Sequence, residues 1–263
     1  MEPLIKWVGS KRWHAGDIAK LVRLDDCVVE PFAGSAAITF ACEPHKAVLN
    51  DANAHLMNFY RCVQQGLEIT IDDNPALYYD HRRWFNDLIQ NDMLRFSPMA
   101  AELFYYLNHR AFNNLWRVNA DGLFNVPPRP VMRGALPPLG MVPENWILRA
   151  RNYRDFLEDI LGNPSAFIYA DPPYDDGFTG YTAGRFSWDD QMDLAMRLSC
   201  HNGPVILMNK ATERIVKAYR ALGFTVTTLA APQRMHHSQG RSDIVQEVMA
   251  TNSIIDWRIH QGR

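Results

Sequence analysis

The sequence predicts an α/β fold in which helices cover both faces of a parallel sheet. Short apolar runs alternate with segments of helical period in residues 1–67 and 155–263, and this alternation is typical of parallel sheets with crossover helices. The 263 residues, of which 47% are hydrophobic and 21% charged, can form one large domain with a sizeable insertion. Between residues 68 and 154 the alternation stops, which predicts such an insertion.

Each predicted element corresponds to an apolar run or a helical repeat. Strands are predicted, in chain order, at residues 27–30, 46–49, 166–170, 204–208 and 225–229. Helices are predicted at residues 36–42, 54–65, 188–199 and 213–221. Parallel sheets bind ligands beyond the carboxyl ends of their strands, so the residues that directly follow a strand are the first candidates for a site.

The insertion is predicted to be mostly helical and to carry a basic surface. Residues 81–106 are aromatic-rich and helix-like, and residues 119–143 are rich in proline and glycine. From residue 110 to residue 154, seven arginines accompany only two acidic residues, Asp121 and Glu144. These arginines are Arg110, Arg117, Arg129, Arg133, Arg149, Arg151 and Arg154. Such a local excess of positive charge is expected for contact with nucleic-acid phosphates, although an ordinary solvated face would give the same pattern.

The most informative motif directly follows the third predicted strand. Residues 166–170 are apolar, and Asp171-Pro172-Pro173-Tyr174 comes next. A carboxylate, a stiff turn and an aromatic ring are therefore expected together at the carboxyl end of a strand. Because proline has no N–H, the carbonyl groups around it are free to accept hydrogen bonds, and the set suits a flat base with an exocyclic amine. The alternative is an ordinary turn at the end of a strand.

A second group of residues follows the first two predicted strands. The first strand ends at Glu30 and leads into Pro31, Phe32 and Gly34, and Asp51 follows the second strand. A glycine between strand and helix lets a ligand approach the backbone, and an acidic residue at the second strand suits ribose hydroxyls. Because the Gly-x-Gly-x-x-Gly pattern of pyrophosphate sites is missing, S-adenosylmethionine fits better than a dinucleotide. The alternative makes Gly34 a simple tight turn and Asp51 a helix N-cap.

Composition argues against several classes of protein. The four cysteines form no Cys-x-x-Cys pair or zinc pattern, so buried thiols in a reducing cytoplasm are expected and no metal site is predicted. The N-terminus lacks the apolar core of a signal peptide, and the uncharged run at 221–233 is too short and polar to span a bilayer. The net charge of −2 argues against a basic coat over the whole protein but allows a local basic face.

Four motifs, in this order, resemble the DNA adenine N6-methyltransferase (Dam) family of bacteria and bacteriophages. They are Lys6-Trp7-Val8-Gly9-Ser10-Lys11, the run from Glu30 to Gly34 with Asp51, the segment Asn108-His109-Arg110-Ala111-Phe112-Asn113-Asn114-Leu115-Trp116-Arg117-Val118-Asn119 with Phe124-Asn125-Val126-Pro127, and Asp171 to Tyr174. The likeness runs nearly from end to end. It implies a Rossmann-like, S-adenosylmethionine-dependent methyltransferase sheet built from residues 1–67 and 155–263, with a target-recognition insertion at residues 68–154.

The resemblance also implies roles for single residues. The expected contacts of S-adenosylmethionine are Trp7, Lys11, Glu30, Pro31, Phe32, Gly34, Asp51 and Asp171. The expected contacts of double-stranded DNA are Lys6, Phe112, Asn113, Leu115, Arg117 and Arg129. Phe112 corresponds to an intercalating aromatic ring and Lys6 to a guanine contact, while Asn113, Leu115 and Arg117 correspond to residues that read GATC. These residue types suit adenine, the thymine methyl group and guanine, respectively.

The predicted reaction is direct methyl transfer to N6 of an adenine flipped out of the duplex. The Asp171 carboxylate and the Pro172 carbonyl would accept hydrogen bonds from the N6 hydrogens, which localises the nitrogen lone pair and aims it at the methyl group. Tyr174 would stack on the base, and Phe178 and Tyr181 are further candidates to line the pocket. No cysteine follows a proline, which disfavours a covalent cytosine-C5 mechanism.

Two other functions stay open from the sequence. One is methylation of another amine, such as cytosine N4 or an RNA adenine, and the other is DNA binding without transfer. A polar segment at residues 232–242, with His236 and His237, is interpreted as a second loop or as an ordinary surface hairpin. We expect a cytoplasmic monomer of a bacterial cell or phage-infected host, with no membrane association and no obligatory protein partner. Whether a restriction enzyme accompanies it is left open.

Overall fold

A single mixed sheet organises the protein, whose computed structural model describes residues 1–91, 97–131, 134–175, 186–232 and 244–261. The strands within these residues are β1 (Cys27–Glu30), β2 (Lys46–Asn50), β3 (Ile147–Arg149), β4 (Ala166–Ala170), β5 (Val205–Lys210), β6 (Thr225–Pro232) and β7 (Ile244–Thr251). They are ordered β3-β2-β1-β4-β5-β7-β6 across the sheet. The neighbours among β1 to β5 are parallel, whereas β7 is antiparallel to both β5 and β6.

Helices connect and cover these strands. Within the described ranges they are α1 (Ala15–Ala19), α2 (Ala37–Cys42), α3 (Ala54–Gln64), α4 (Tyr78–Gln90), α5 (Pro98–Arg110), α6 (Tyr153–Glu158), α7 (Trp188–Ser199), α8 (Glu213–Ala221) and α9 (Ser253–Gln261). The five predicted strands and four predicted helices are confirmed, with small differences at their ends. The helix-like stretch predicted at 81–106 corresponds to α4 and α5. No helix in the described part of the chain is both long and apolar enough to cross a membrane.

Two strands were not predicted, and one of them corrects the predicted parallel sheet. Strand β7 lies between β5 and β6 and runs against both, so β6 does not pair with β5 as a purely parallel order would require. Strand β3 pairs with β2 in parallel, although it falls within the 68–154 segment. The mixed α/β architecture, with a mostly parallel sheet, agrees with the predicted fold class.

The side chains of β4 show how both faces of the sheet are buried. Phe167 and Tyr169 pack with Ile18 of α1 and Ile255 of α9 on one face. Ile168, between them in sequence, packs on the opposite face in the cluster that contains residues of α6, α7 and α8. Because successive side chains of a strand alternate between faces, a continuously apolar strand needs helices on both sides, and this sheet has them.

Side-chain caps fix the starts of three helices near the carboxyl edge of the sheet. Asn53 accepts hydrogen bonds from two backbone N–H groups at the start of α3, and Thr212 accepts one at the start of α8. Ser187 and Asp190 form a capping box at the start of α7. Each cap is worth about 1 kcal/mol, so the loops that precede these helices end at defined positions.

The 68–154 segment packs directly against the sheet domain. Trp116, Phe104 and Phe85 belong to one hydrophobic cluster with Phe59 of α3. The ring centroids of Phe104 and Trp116 are 4.5 Å apart, and those of Phe59 and Phe104 are 5.6 Å apart. The helices of this segment are therefore held to α3 by a shared aromatic core.

Candidate active site

Asp171 directly follows β4, at the carboxyl edge of the parallel strands. Because β1, β4 and β5 run parallel, the residues that follow them meet at this edge. Oδ2 of Asp171 lies 3.0 Å from Nζ of Lys11. Oδ1 is buried and has no hydrogen-bond partner within the described residues. An unpaired carboxylate oxygen is thus available where the sequence predicts an acceptor for an amine.

Lys11 reaches from the N-terminal loop into the centre of this site. Its side chain is 4% exposed, and Nζ donates to the Gly9 carbonyl at 2.8 Å. Nζ also lies 3.6 Å from Oε1 of Glu247 and 4.8 Å from the centroid of the Tyr174 ring. The last distance is within the range of a cation–π contact. Lys11 therefore joins the Asp171 loop to two other segments of the chain.

Glu247, on β7, belongs to this cluster although the sequence analysis did not find it. Burial raises the pKa of its carboxyl group, while the Lys11 ammonium acts in the opposite direction. A hydrogen bond from the Tyr174 hydroxyl acts in the same direction as Lys11, so Tyr174 and Glu247 are partners within the site. Oδ1 of Asp171 is left as a buried oxygen atom without a partner in the described residues. Since a buried unpaired polar group costs about 1–3 kcal/mol, a polar ligand would be favoured here.

Buried polar side chains hold the loop that follows Asp171. Nε2 of Gln191 donates to the Pro173 carbonyl at 2.7 Å. Nδ2 of Asn209, at the end of β5, donates to Oε1 of Gln191 and to the Tyr219 hydroxyl, both at 2.9 Å. Gln191 and Asn209 are almost completely buried. The backbone at Pro173 is therefore fixed from α7, β5 and α8. Gln191, Asn209 and Tyr219 were not singled out in the sequence.

Gly34 lies where the loop after β1 meets the N-terminal loop. Its φ is +48°, in the left-handed region that favours glycine. Its N–H donates to Oδ2 of Asp51 at 3.0 Å, and its carbonyl accepts from the Tyr60 hydroxyl at 2.8 Å. A Cβ atom at this position would lie 2.8 Å from Cδ1 of Trp7. The structure thus brings Trp7, Gly34 and Asp51 together, as the sequence led us to expect of one site.

Asp51 shapes the turn after β2 without capping the following helix. Its Oδ1 accepts from the Asn53 N–H at 2.9 Å, and its Oδ2 accepts from Gly34. Burial raises the pKa of the Asp51 carboxyl group. Because Asn53 is the N-cap of α3, the alternative interpretation of Asp51 as a helix N-cap does not apply.

The other residues of the first strand and its loop lie at different depths. Glu30 is buried and accepts hydrogen bonds from the N–H and the hydroxyl of Thr39, at 2.9 and 2.5 Å. Burial raises the pKa of the Glu30 carboxyl group from 4.5 to about 7. The Pro31 carbonyl accepts from Asn50 at 3.0 Å, and the Phe32 ring lies 5.6 Å from that of Tyr153. The Glu30 carboxylate is thus held by its hydrogen bonds to Thr39 of α2, whereas the Phe32 side chain is only partly buried.

Two contacts join the N-terminal loop to the 68–154 segment. Asn108, at the end of α5, accepts from the Lys6 N–H at 3.2 Å and donates to the Lys6 carbonyl at 2.8 Å. The Trp7 ring is stacked with those of Phe104 and Trp116, at 6.3 and 6.4 Å between centroids. The predicted cofactor residue Trp7 and the predicted DNA residue Lys6 are therefore both fixed against this segment.

Phe112 is presented on a tight turn after α5. Its side chain is 41% exposed, and its N–H donates to the Pro127 carbonyl at 2.9 Å. Asn113 and Asn114 follow with φ of 52° and 55°, a conformation that asparagine tolerates better than most residues. The bulky residue Trp116, in contrast, is buried in the aromatic core. The turn thus exposes an aromatic ring while its base is anchored inside the protein.

With this geometry in place, comparison with known proteins identifies the family. A family model of the D12 class of N6 adenine-specific DNA methyltransferases matches residues 7–235. The chain belongs to this family. It is 29% identical to the retron Ec67 DNA adenine methylase of Escherichia coli, over 98% of this chain and 93% of that protein. It is 30% identical to a DNA adenine methylase of Serratia marcescens, over 80% and 83% of the two chains.

A third relative of this methyltransferase is named as a type II methyltransferase and not as a DNA adenine methylase. The type II methyltransferase M1.LlaDCHI of Lactococcus lactis subsp. cremoris is 28% identical, over 96% of this chain and 95% of that protein. The predicted family and enzyme class are confirmed by these matches. Members of this family generally use S-adenosylmethionine. The described residues contain no group of three or more histidine, cysteine, aspartate or glutamate side chains that could hold a metal ion. The expectation of buried thiols is wrong except for Cys62, since Cys200 is exposed and the other two cysteines are partly buried.

Several arginines between residues 110 and 154 are ion-paired or buried, so they contribute less positive charge to the surface of this methyltransferase than their number in the sequence suggests. Arg110 is buried and ion-paired with Asp73. Two further ion pairs, each with the carboxylate on another part of the chain, are Arg151–Asp159 and Arg154–Asp190. Arg117 donates to Asn125 at 2.8 Å, and burial lowers the pKa of Arg129. The local charge excess counted from residue 110 to residue 154 is therefore partly neutralised in the folded chain.

Several predicted candidates cannot be placed in the site. Phe178 and Tyr181, which were expected to line the base pocket, lie outside the described residues. So do Arg133 and the polar segment between β6 and β7, including His236 and His237. The two strands that flank this segment do form an antiparallel pair.

Proposed function

We propose that this methyltransferase transfers the methyl group of S-adenosylmethionine to N6 of an adenine in duplex DNA, at the 171–174 loop. The observation that carries the proposal is the buried and unpaired Oδ1 of Asp171, a strong acceptor beside Lys11 and Tyr174. An exocyclic amine offers two N–H donors, which are the groups that this oxygen lacks. The family of the chain supplies the reaction class.

The loop around Gly34 supports S-adenosylmethionine as the methyl donor. The missing side chain of Gly34 keeps its backbone accessible next to Trp7, and Asp51 lies on the other side of the same loop. Each carboxylate oxygen of Asp51 has a second lone pair for a ribose hydroxyl. Lys11, Glu30, Pro31, Phe32 and Asp171 complete the proposed set of cofactor residues. When bound, S-adenosylmethionine supplies an electrophilic methyl group on a sulfonium sulfur.

Asp171, Pro172 and Tyr174 would orient the target base. The N6 lone pair of adenine is delocalised into the ring, which makes it a poor nucleophile. Hydrogen bonds from N6 to Asp171 Oδ1 and to the Pro172 carbonyl would localise this lone pair and point it at the methyl group. Tyr174, whose ring is held over Lys11, would stack on the flipped base. Rate acceleration would then come from alignment and electrostatics.

The 68–154 segment is the proposed target-recognition insertion, without the β3 strand that joins the sheet. The exposed ring of Phe112 supports its role as the residue that enters the base stack. Asn113, Leu115 and Arg117 are proposed to read GATC. Lys6, whose backbone is hydrogen-bonded to Asn108 at the end of α5, is proposed to contact a guanine. Arg129 is proposed to contact DNA as well. A monomer acting in the cytoplasm of a bacterial cell or phage-infected host would suffice for this chemistry.

The experiment that tests this function maps methylation over a whole genome. Purified protein is incubated with S-adenosylmethionine and unmethylated genomic DNA, and N6-methyladenine is located by single-molecule sequencing. Methylation confined to GATC is expected, and another single motif would refute the assignment of Asn113, Leu115 and Arg117. Proven cofactor binding with no methylated adenine would refute the target and favour another amine or binding alone.

Asp171→Ala and Asp171→Asn test the proposed acceptor. Transfer should fall by at least about 100-fold, because both changes remove the carboxylate. The fold should stay intact, since Lys11 keeps its contacts with Gly9 and Glu247. Asp189→Asn, in the exposed first turn of α7, is the matched control and should be as active as the wild type. Near-normal turnover of Asp171→Ala would exclude this mechanism.

A further inference from the structure

Glu247 is a second carboxylate at the proposed active site, and it comes from a part of the chain remote from the 171–174 motif. It lies on β7, where its register neighbours are Lys210 on β5 and Leu229 on β6. Its side chain is 10% exposed. Three charged groups from three chain segments, namely Lys11, Asp171 and Glu247, therefore share one buried volume at the carboxyl edge of the sheet.

The Lys11 ammonium group lies between the carboxylates of Asp171 and Glu247 and is ion-paired with both. This group donates a hydrogen bond to the Gly9 carbonyl at 2.8 Å. In the two ion pairs, Nζ lies 3.0 Å from Asp171 Oδ2 and 3.6 Å from Glu247 Oε1. With two carboxylates and one ammonium ionised, the cluster carries one net negative charge. Without Glu247, Lys11 would neutralise Asp171 completely.

We infer that Glu247 is a positioning residue that acts through Lys11 to keep Asp171 an effective acceptor for the target amine. Sharing Lys11 between two carboxylates leaves negative charge on Asp171, whose Oδ1 has no partner within the described residues. In methyl transfer the bond from sulfur to the methyl carbon would break as the bond from that carbon to N6 forms. Positive charge would thereby move from sulfur to N6 until one N6 proton is released to solvent. A fixed negative charge next to that nitrogen stabilises the developing cation, most strongly in a site that excludes water. This inference rests on the proposed function of the 171–174 loop.

A purely structural role makes a different prediction. If Glu247 only compensated the buried charge of Lys11, its loss would lower stability and leave the chemical step unchanged. If it acts through Lys11 on Asp171, its loss should lower the rate of transfer in protein that is folded and saturated with both substrates. The rate of transfer within a single turnover separates the two cases.

The test compares Glu247→Gln with Glu158→Gln, which removes the same charge at an exposed position of α6. Single-turnover transfer to duplex DNA should fall about 10- to 100-fold in Glu247→Gln, at the lower end of the range for losing one charge of a close ion pair. The KM for DNA should change by less than about threefold. A rate equal to that of Glu158→Gln would overturn the inference. A wild-type protein that transfers no methyl group would instead refute the proposed function.

A double-mutant cycle tests whether the effect passes through Lys11. In the Lys11→Met background, Glu247→Gln should change the remaining rate by no more than about threefold. Full additivity of the two changes would contradict the inference. Should Glu247→Gln fail to fold, Glu247→Asp serves in its place, because it keeps the charge and shortens the side chain by one methylene. It should transfer faster than Glu247→Ala by about tenfold or more, and equal rates for these two would also overturn the inference.

Discussion

Replacing Gly34 with alanine tests the packing between the loop after β1 and Trp7. The added Cβ atom would lie 2.8 Å from Cδ1 and 3.3 Å from Nε1 of the Trp7 ring, well inside the usual carbon–carbon contact distance of about 3.5–4.0 Å. The Trp7 ring cannot move away freely, because it is stacked with Phe104 and Trp116. The strain must therefore appear as displaced aromatic packing or as a shifted loop.

The expected loss of stability can be divided into two parts. A left-handed φ costs alanine about 1–2 kcal/mol, of which about 0.4–1 kcal/mol is offset because alanine restricts the unfolded chain. The overpacking at Trp7 adds about 1–3 kcal/mol. Gly66 provides the matched control, since its φ is +86° and an added Cβ would have nothing within 4 Å. Gly66→Ala should therefore lose stability only through the cost of its left-handed φ.

Urea unfolding of both variants measures the difference. Gly34→Ala should lower the free energy of unfolding by about 1–3 kcal/mol more than Gly66→Ala. The excess should disappear in a Trp7→Leu background, where the ring is gone. Equilibrium dialysis with the demethylated cofactor should show weaker binding to Gly34→Ala only. Equal destabilisation by the two alanine substitutions would refute the assigned contact.

Two further predictions concern the exposed ring and the buried acid. Phe112→Ala should lower the free energy of unfolding by less than about 2 kcal/mol, because the residue is 41% exposed, yet it should reduce transfer to duplex DNA in a methylation assay. Full activity would refute its proposed role in DNA binding. Burial raises the pKa of Glu30 from 4.5 to about 7, so the folded protein retains a proton that the unfolded chain releases, and stability is lost as the pH rises through this window. The stability of Glu30→Gln relative to wild type should therefore increase by ~3 kcal/mol between pH 4.5 and pH 8, measured by urea unfolding, and a difference independent of pH would contradict this.

The sequence was most informative where an apolar run and a turn motif coincide. β4 is apolar at every position and ends at Asp171, so both the strand and the edge at which its loop lies could be predicted. β3 could not be predicted in this way, because it has three residues of which only Leu148 is buried. The position of β7 between β5 and β6 depends on pairing between strands distant in sequence, and no local pattern specifies that order.

The same distinction applies to the site. Lys11 and Asp171 belong to motifs, and the structure brings them within 3.0 Å of each other. Glu247 belongs to no motif, and its only signal is that it is the one charged residue of its strand. Gln191 and Asn209 resemble ordinary polar residues of a helix and a strand until their contacts with the Pro173 loop are known. Residues that position other residues do so through contacts between segments distant in sequence, and local sequence patterns do not reveal such contacts.

The N-terminal loop at residues 6–11 connects the parts of the molecule that the proposed reaction requires. Lys6 is hydrogen-bonded to Asn108 at the end of α5, and Trp7 packs between Gly34 and the aromatic core that contains Trp116. Lys11, four residues further along, is ion-paired with Asp171. A shift of the 68–154 segment by even about 1 Å would therefore displace both the proposed cofactor loop and the proposed acceptor, and misplacement on that scale can cost about 100-fold in rate. It follows that the position of this one short loop couples all three regions, since it contacts each of them.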